Sequence, residues 1–155
     1  MKKFLFILSI YLFVSCSKDD DSYVKGCTDP QAVNYNINAT ENDNTCQYSI
    51  IGDWTVTKYT LSDGTNILSQ FRYIDYTLYD DYTYYQEVGV LNSTDYLIFT
   101  GIYSLGGTNN SQLTFTDDDT GITTTCTITS ISSSTIKLSY DYDSSTTATL
   151  ELIKI

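Results

Sequence analysis

Four cysteines, 19 acidic residues and no histidine set the chemistry open to this chain of 155 residues. Without histidine the commonest general base and the commonest metal ligand are both missing. That excludes a Ser-His-Asp triad, a Cys-His dyad and an imidazole-built zinc site. Carboxylate groupings remain: Asp141 with Asp143, and the run Asp117–Asp119, mimic a glycosidase dyad or a cation site. Both lie at strand ends and turns among Ser and Thr, where solvated carboxylates are the better explanation. No acid/base pair has an identifiable partner, so catalysis is not expected. The formal charge of −11 argues against a nucleic-acid partner, which needs a basic face.

The first cysteine, Cys16, follows Lys2, Lys3 and an apolar run from Phe4 to Val14. That run is too short to cross about 30 Å of hydrocarbon as a helix, and its charged start and short apolar body read as a secretory signal. The stretch Phe13-Val14-Ser15-Cys16 resembles a bacterial lipoprotein box, with Phe13 where Leu is more usual. The resemblance implies a signal peptide over residues 1–15, cleavage before Cys16 and lipidation of that cysteine. Several acyl chains anchor a protein stably where a single chain would not. Residues 16–25 continue as an acidic tether around Asp19-Asp20-Asp21. The tether resembles the export tag of surface lipoproteins of the Bacteroidota, implying a lipid-anchored, surface-exposed place on the outer membrane.

With Cys16 acylated, Cys27, Cys46 and Cys126 remain, an odd number in an oxidising compartment. Cys27 and Cys46 bracket a short segment of distinct composition and are the natural disulfide pair, with closure contributing on the order of 3 kcal/mol. Cys126 shares parity with Ile122 and Ile128, which places it on an apolar strand face as a buried, inert thiol. Residues 26–48 are rich in Asn and Asp and have too little apolar surface to fold without a staple. Their hard oxygens suit Ca²⁺, although the spacing is not that of an EF-hand. The segment resembles a short repeat of Bacteroidota extracellular proteins, similar to thrombospondin type 3 repeats. Cys27, Thr28, Asp29, Pro30, Ala32, Asn34, Tyr35, Ala39, Thr40, Asp43, Cys46 and Tyr48 carry the match. The resemblance implies calcium ligation by Asp29, Asn34, Asn36 and Asp43. Asn42 stands where the repeat has an acid, which weakens such a site. The alternative is that these oxygens cap turns as Asx motifs. No other cofactor is expected.

Residues 50–155 alternate apolar and polar side chains between turn signals, most regularly over Ile136-Lys137-Leu138-Ser139-Tyr140-Asp141. Seven breaks delimit eight strands, at about 53–61, 71–79, 82–91, 96–105, 111–117, 121–131, 135–142 and 146–154. One helical turn fits within 65–72. The fold class is all-β, an eight-stranded up-and-down antiparallel barrel, whose closure removes exposed edges. A two-sheet sandwich is the alternative. Gly52-Asp53-Trp54 matches the Gly-x-Trp signature of lipocalins, and the domain resembles small lipocalin-like domains of Bacteroidota lipoproteins. The resemblance implies that Trp54 plugs one barrel end beneath a basic residue of the last strand, for which Lys154 is the candidate.

Such a barrel either holds a ligand or is filled by side chains. Trp54, Tyr76, Leu78, Tyr84, Ile98, Phe115, Ile128, Ile136 and Leu138 are the bulky candidates for its interior. Lys58 shares parity with Trp54 and Val56, so it either reaches into the mouth as a ligand partner or snorkels at a strand end. The tyrosines around Asp80-Asp81, with Tyr76, Tyr82 and Tyr84 foremost, either form a binding patch or stabilise a hairpin. The expected function is a surface-anchored module that binds a small apolar ligand or glycan. The alternative is a structural or interaction protein with a filled barrel, acting in adhesion or envelope assembly. Palmitate supplied to cells should label the full chain and leave a Cys16→Ala variant unlabelled; label retained by the variant would overturn the lipoprotein reading.

Overall fold

Alternating side chains force each segment to present one face to a core, and closure of the sheet supplies that core. The computed structural model describes residues 23–155. The expected signal peptide, Cys16 and most of the tether lie outside them. Two short strands come first, β1 (Lys25–Gly26) and β2 (Glu41–Asn42). Eight longer strands follow: β3 (Gly52–Leu61), β4 (Phe71–Leu78), β5 (Thr83–Val90), β6 (Tyr96–Gly106), β7 (Gln112–Asp117), β8 (Thr123–Ile131), β9 (Thr135–Asp141) and β10 (Thr147–Lys154). These eight form a closed antiparallel barrel in which every strand pairs with its sequence neighbours and β10 closes on β3. The expected helical turn is a 3-10 turn at Leu68–Gln70.

One barrel end is packed solid. Trp54, Leu78, Leu113 and Ile136 are buried there on inward faces. The Trp54 indole N–H donates to the Ile50 carbonyl at 2.7 Å, so its one polar atom is satisfied inside the core. Lys154 crosses above it: Nζ sits 5.3 Å from the ring centroid and donates to the Ile51 carbonyl at 3.0 Å. Gly52 makes that crossing possible, because its φ is +126° and a Cβ would meet the Lys154 chain at 2.8 Å. Gly52, Trp54 and Lys154 thus form one interlocked plug.

The segment before β3 lies beside this plugged end. Cys27 and Cys46 are disulfide-bonded, with Cα atoms 4.8 Å apart. Polar contacts complete the module. The Tyr48 hydroxyl donates to Asp29 at 2.6 Å, and Asn34 bridges Thr45 and Gln47 across the loop at 2.7 and 2.8 Å. The Thr40 hydroxyl accepts from the Val24 N–H and the Thr40 N–H donates to the Val24 carbonyl, so the module includes residues slightly before 26. Ser133, in the β8–β9 turn, donates to the Gln31 side chain and ties module to barrel.

Replacing Trp54 with alanine removes the largest fully buried side chain. Urea unfolding of Trp54→Ala should show a loss of about 3–5 kcal/mol, whereas a loss below 1 kcal/mol would mean the plug is dispensable.

Candidate ligand-binding cavity

The opposite end of the barrel is not filled. There side chains from all eight barrel strands leave a cavity of about 470 Å³ that opens to solvent. Ile74 and Tyr76 on β4, Tyr84 and Gln86 on β5, and Phe115 on β7 build one side. Cys126, Leu138, Tyr140, Leu150 and Tyr59 build the other. Phe99, Asp117, Asp119, Ile122 and Thr124 line the mouth. Aromatic rings shape the wall: Tyr84 meets Phe115 edge-on at 5.1 Å, and Tyr76 meets it at 5.7 Å. Gly101 lets the Tyr84 ring lie against β6, since a Cβ there would sit 2.8 Å from that ring and 2.0 Å from the Thr116 carbonyl.

Polar groups in the wall are few, and those of Tyr59, Tyr140, Tyr76 and Gln86 are paired. The Tyr59 and Tyr140 hydroxyls hydrogen-bond to each other. The Gln86 amide donates to the Tyr76 hydroxyl at 2.8 Å, leaving the Tyr76 proton for another acceptor. Burial pushes the phenols of Tyr76, Tyr59 and Tyr140 up, so all three stay neutral. No charged side chain is buried among the described residues. Charge appears only at the rim, where the Thr120 hydroxyl and backbone N–H donate to Asp117 and hold its carboxyl below the usual range.

The structure sorts the sequence candidates. Tyr76 and Tyr84 are in the cavity wall. Tyr82 is at the plugged end, exposed in the β4–β5 turn with φ +68° and its ring 5.7 Å from Tyr103. The other tyrosines of that run divide by parity: Tyr73 and Tyr85 are outside, both donating to Glu87. Lys58 does not reach into the mouth. A β-bulge opposite Glu151–Leu152 skips Thr57 in the pairing, which turns Lys58 outward and Tyr59 inward. Lys58 instead meets Glu151 at 3.4 Å, beside Lys137 at 3.3 Å from the same carboxylate. Ile98 is not core: it pairs opposite Glu87 and stands half exposed, bordering the cavity at its rim. Cys126 is buried and unpaired among the described residues, as its parity implies.

Of the expected calcium ligands, Asp29 accepts from Gln31 and Tyr48, Asn34 from Gln47, Asn36 from Asn38, and Asp43 from Thr45. Those from Gln31, Asn38 and Thr45 are the turn-capping contacts of the alternative reading, while Gln47 and Tyr48 reach across the loop. Among the described residues, no group of three or more His, Cys, Asp or Glu side chains is placed to hold a metal ion. The sequence does not single out Tyr59, Tyr140 or Gln86 as site residues. Tyr140 had a signal, the alternation with Ile136 and Leu138, while Tyr59 had none because the bulge reverses its parity. No protein-family model and no curated protein matches the chain.

Burial pushes the Cys126 thiol from an ordinary value of 9.0 up to about 11. The folded chain therefore keeps this proton where the unfolded chain releases it. The contribution to stability is complete below pH 9 and is lost as pH rises toward 11, at about 1.4 kcal/mol per pH unit. Urea unfolding between pH 9 and 10 should show a steeper loss for the native chain than for Cys126→Ala. Equal slopes would place the thiol in water.

Proposed function

We propose that this protein is a surface-anchored lipoprotein whose barrel binds a small, largely apolar molecule. The observation that carries the reading is the cavity of about 470 Å³ at the end remote from Trp54. Its volume falls in the range of about 300–1,000 Å³ typical of small-molecule sites. An apolar wall with a few convergent hydroxyls is the usual composition of such sites, with the polar groups fixing orientation. A barrel serving only as a scaffold gains stability by filling this space, because unfilled volume forfeits packing contacts. The N-terminal module joins the barrel at the plugged end, an arrangement that suits an anchor preceding the module and a mouth left free. The second reading, a structural or interaction protein, rests on the half-exposed Tyr96, Leu97 and Ile98 along β6.

Titration with the neutral fluorophore N-phenyl-1-naphthylamine separates the two. The full chain should bind one dye. Thr124→Trp, which plugs the mouth from β8, should weaken binding by about tenfold or more, while Ile102→Trp on the outer face should not. Native mass spectrometry of delipidated protein from its host should show a co-purifying small molecule. A dye insensitive to Thr124→Trp, with no co-purifying ligand, would sink the cavity reading in favour of the interaction role.

A further inference from the structure

The mouth carries a one-sided charge that the cavity reading does not use. Four loops join the strands at this end of the barrel, at 62–70, 91–95, 118–122 and 142–146, and of these 118–122 lines the opening. They contain Asp63, Asp95, Asp118, Asp119 and Asp143 and no Lys or Arg. Asp117 and Asp141 add two carboxylates at the adjoining strand ends. Asp117 and Asp119 line the opening itself, and no basic residue lines any part of the cavity. Arg72 is the basic residue nearest this end in the chain, at the start of β4. It is turned outward, with its guanidinium over the Tyr73 ring at 5.1 Å and donating to the Ser93 carbonyl at 2.6 Å.

Resting on that reading, we infer that the ligand is a cationic amphiphile: an amine whose ammonium sits at the Asp117/Asp119 rim and whose apolar or aromatic body fills the barrel. A mouth lined by charge of one sign above low-dielectric walls focuses its field on an entering ion. An ammonium gains from that field and from the aromatic faces below the rim, Phe99, Phe115 and Tyr84. A carboxylate loses on both counts, and no lysine or arginine in the wall is placed to compensate it. The neutral interior explains why the charge must stay at the rim: burying an ion deeper among Ile74, Leu138 and Leu150 would cost its hydration without a partner. The body must be apolar and the head cationic.

Three probes with one aromatic body test this: 2-(1-naphthyl)ethylamine, 2-(1-naphthyl)ethanol and 1-naphthylacetate, each titrated against the full chain. The amine should bind tightest and the carboxylate weakest, with a span on the order of tenfold. The span should narrow as salt is raised from about 10 mM to about 0.5 M. Asp119→Asn, and separately Asp117→Asn, which retains an acceptor for Thr120, should lower amine affinity and leave alcohol affinity unchanged. Unchanged alcohol binding also shows that each variant is folded. Amine binding no tighter than alcohol, or an amine preference that survives both substitutions, overturns the cationic assignment while the cavity reading stands. Failure of all three probes to bind removes the cavity reading, and the inference with it.

Discussion

When eight antiparallel strands close, the width of the space they enclose follows from strand number and stagger, not from the side chains available to fill it. In this protein closure runs through the β10–β3 seam, from Lys154 opposite Trp54 to Ala148 opposite Leu61. Once the seam forms, the interior must be met with volume from the strands themselves. Trp54, Leu113 and Ile136 supply it at one end, where Lys154 and Ile50 hold the indole in place. At the other end the inward residues are rings and hydroxyls that lean on one another around a void. The cavity is thus the counterpart of the plug: one end closes on Trp54 and aliphatic side chains, and the other sets its rings around a void.

The bulge in the same seam decides what that void is made of. Had β3 kept its register to the end, Lys58 would have faced inward and Tyr59 outward. Skipping Thr57 reverses this. It moves a cation to the outer surface, where Glu151 takes it together with Lys137, and delivers a phenol to pair with Tyr140. The exchange leaves the inner wall uncharged. A neutral wall beneath an acidic rim is a different binding environment from one with a lysine at its centre, and one skipped residue separates the two.

Most of the fold was legible because alternation and turn residues report locally. All eight barrel strands lie within one or two residues of where Ser, Asp, Asn and Gly clusters delimit them. The Gly52, Trp54 and Lys154 plug was also readable, since parity along β10 places Lys154 with Leu150 and Leu152. The cavity was legible only in part. Tyr76, Tyr84, Phe115 and Cys126 follow from parity, but Tyr59 and Lys58 are exchanged by the bulge, which no turn residue marks. Ile98 fails for another reason: it stands half exposed at the cavity rim near the start of β6, where apolar composition alone suggests burial. The balance between filled and empty volume depends on rings from five strands meeting at once, a property that no single segment contains.

The two ends also differ in charge, and this difference has a physical basis in the turns. A two-to-five-residue hairpin connection favours Asp, Asn, Ser and Gly for their turn geometry, so some acidity at a barrel rim follows from folding alone. The plugged end has such turns too, with Asp80 and Asp81 between β4 and β5, but there Lys154 lies over the closure. At the open end the acids cap their own turns through one oxygen, as Asp63 does for Thr65, Asp117 for Thr120 and Asp143 for Ser145. Each capped carboxylate is held below its usual range by those donors, so it stays ionised well into acid. The residues that make the hairpins turn therefore also set a standing negative field around the opening. Turn chemistry builds the rim, and the one basic side chain that reaches it, Arg72 on the Ser93 carbonyl, lies on the 91–95 loop and does not line the cavity, where Asp117 and Asp119 stand without a basic neighbour.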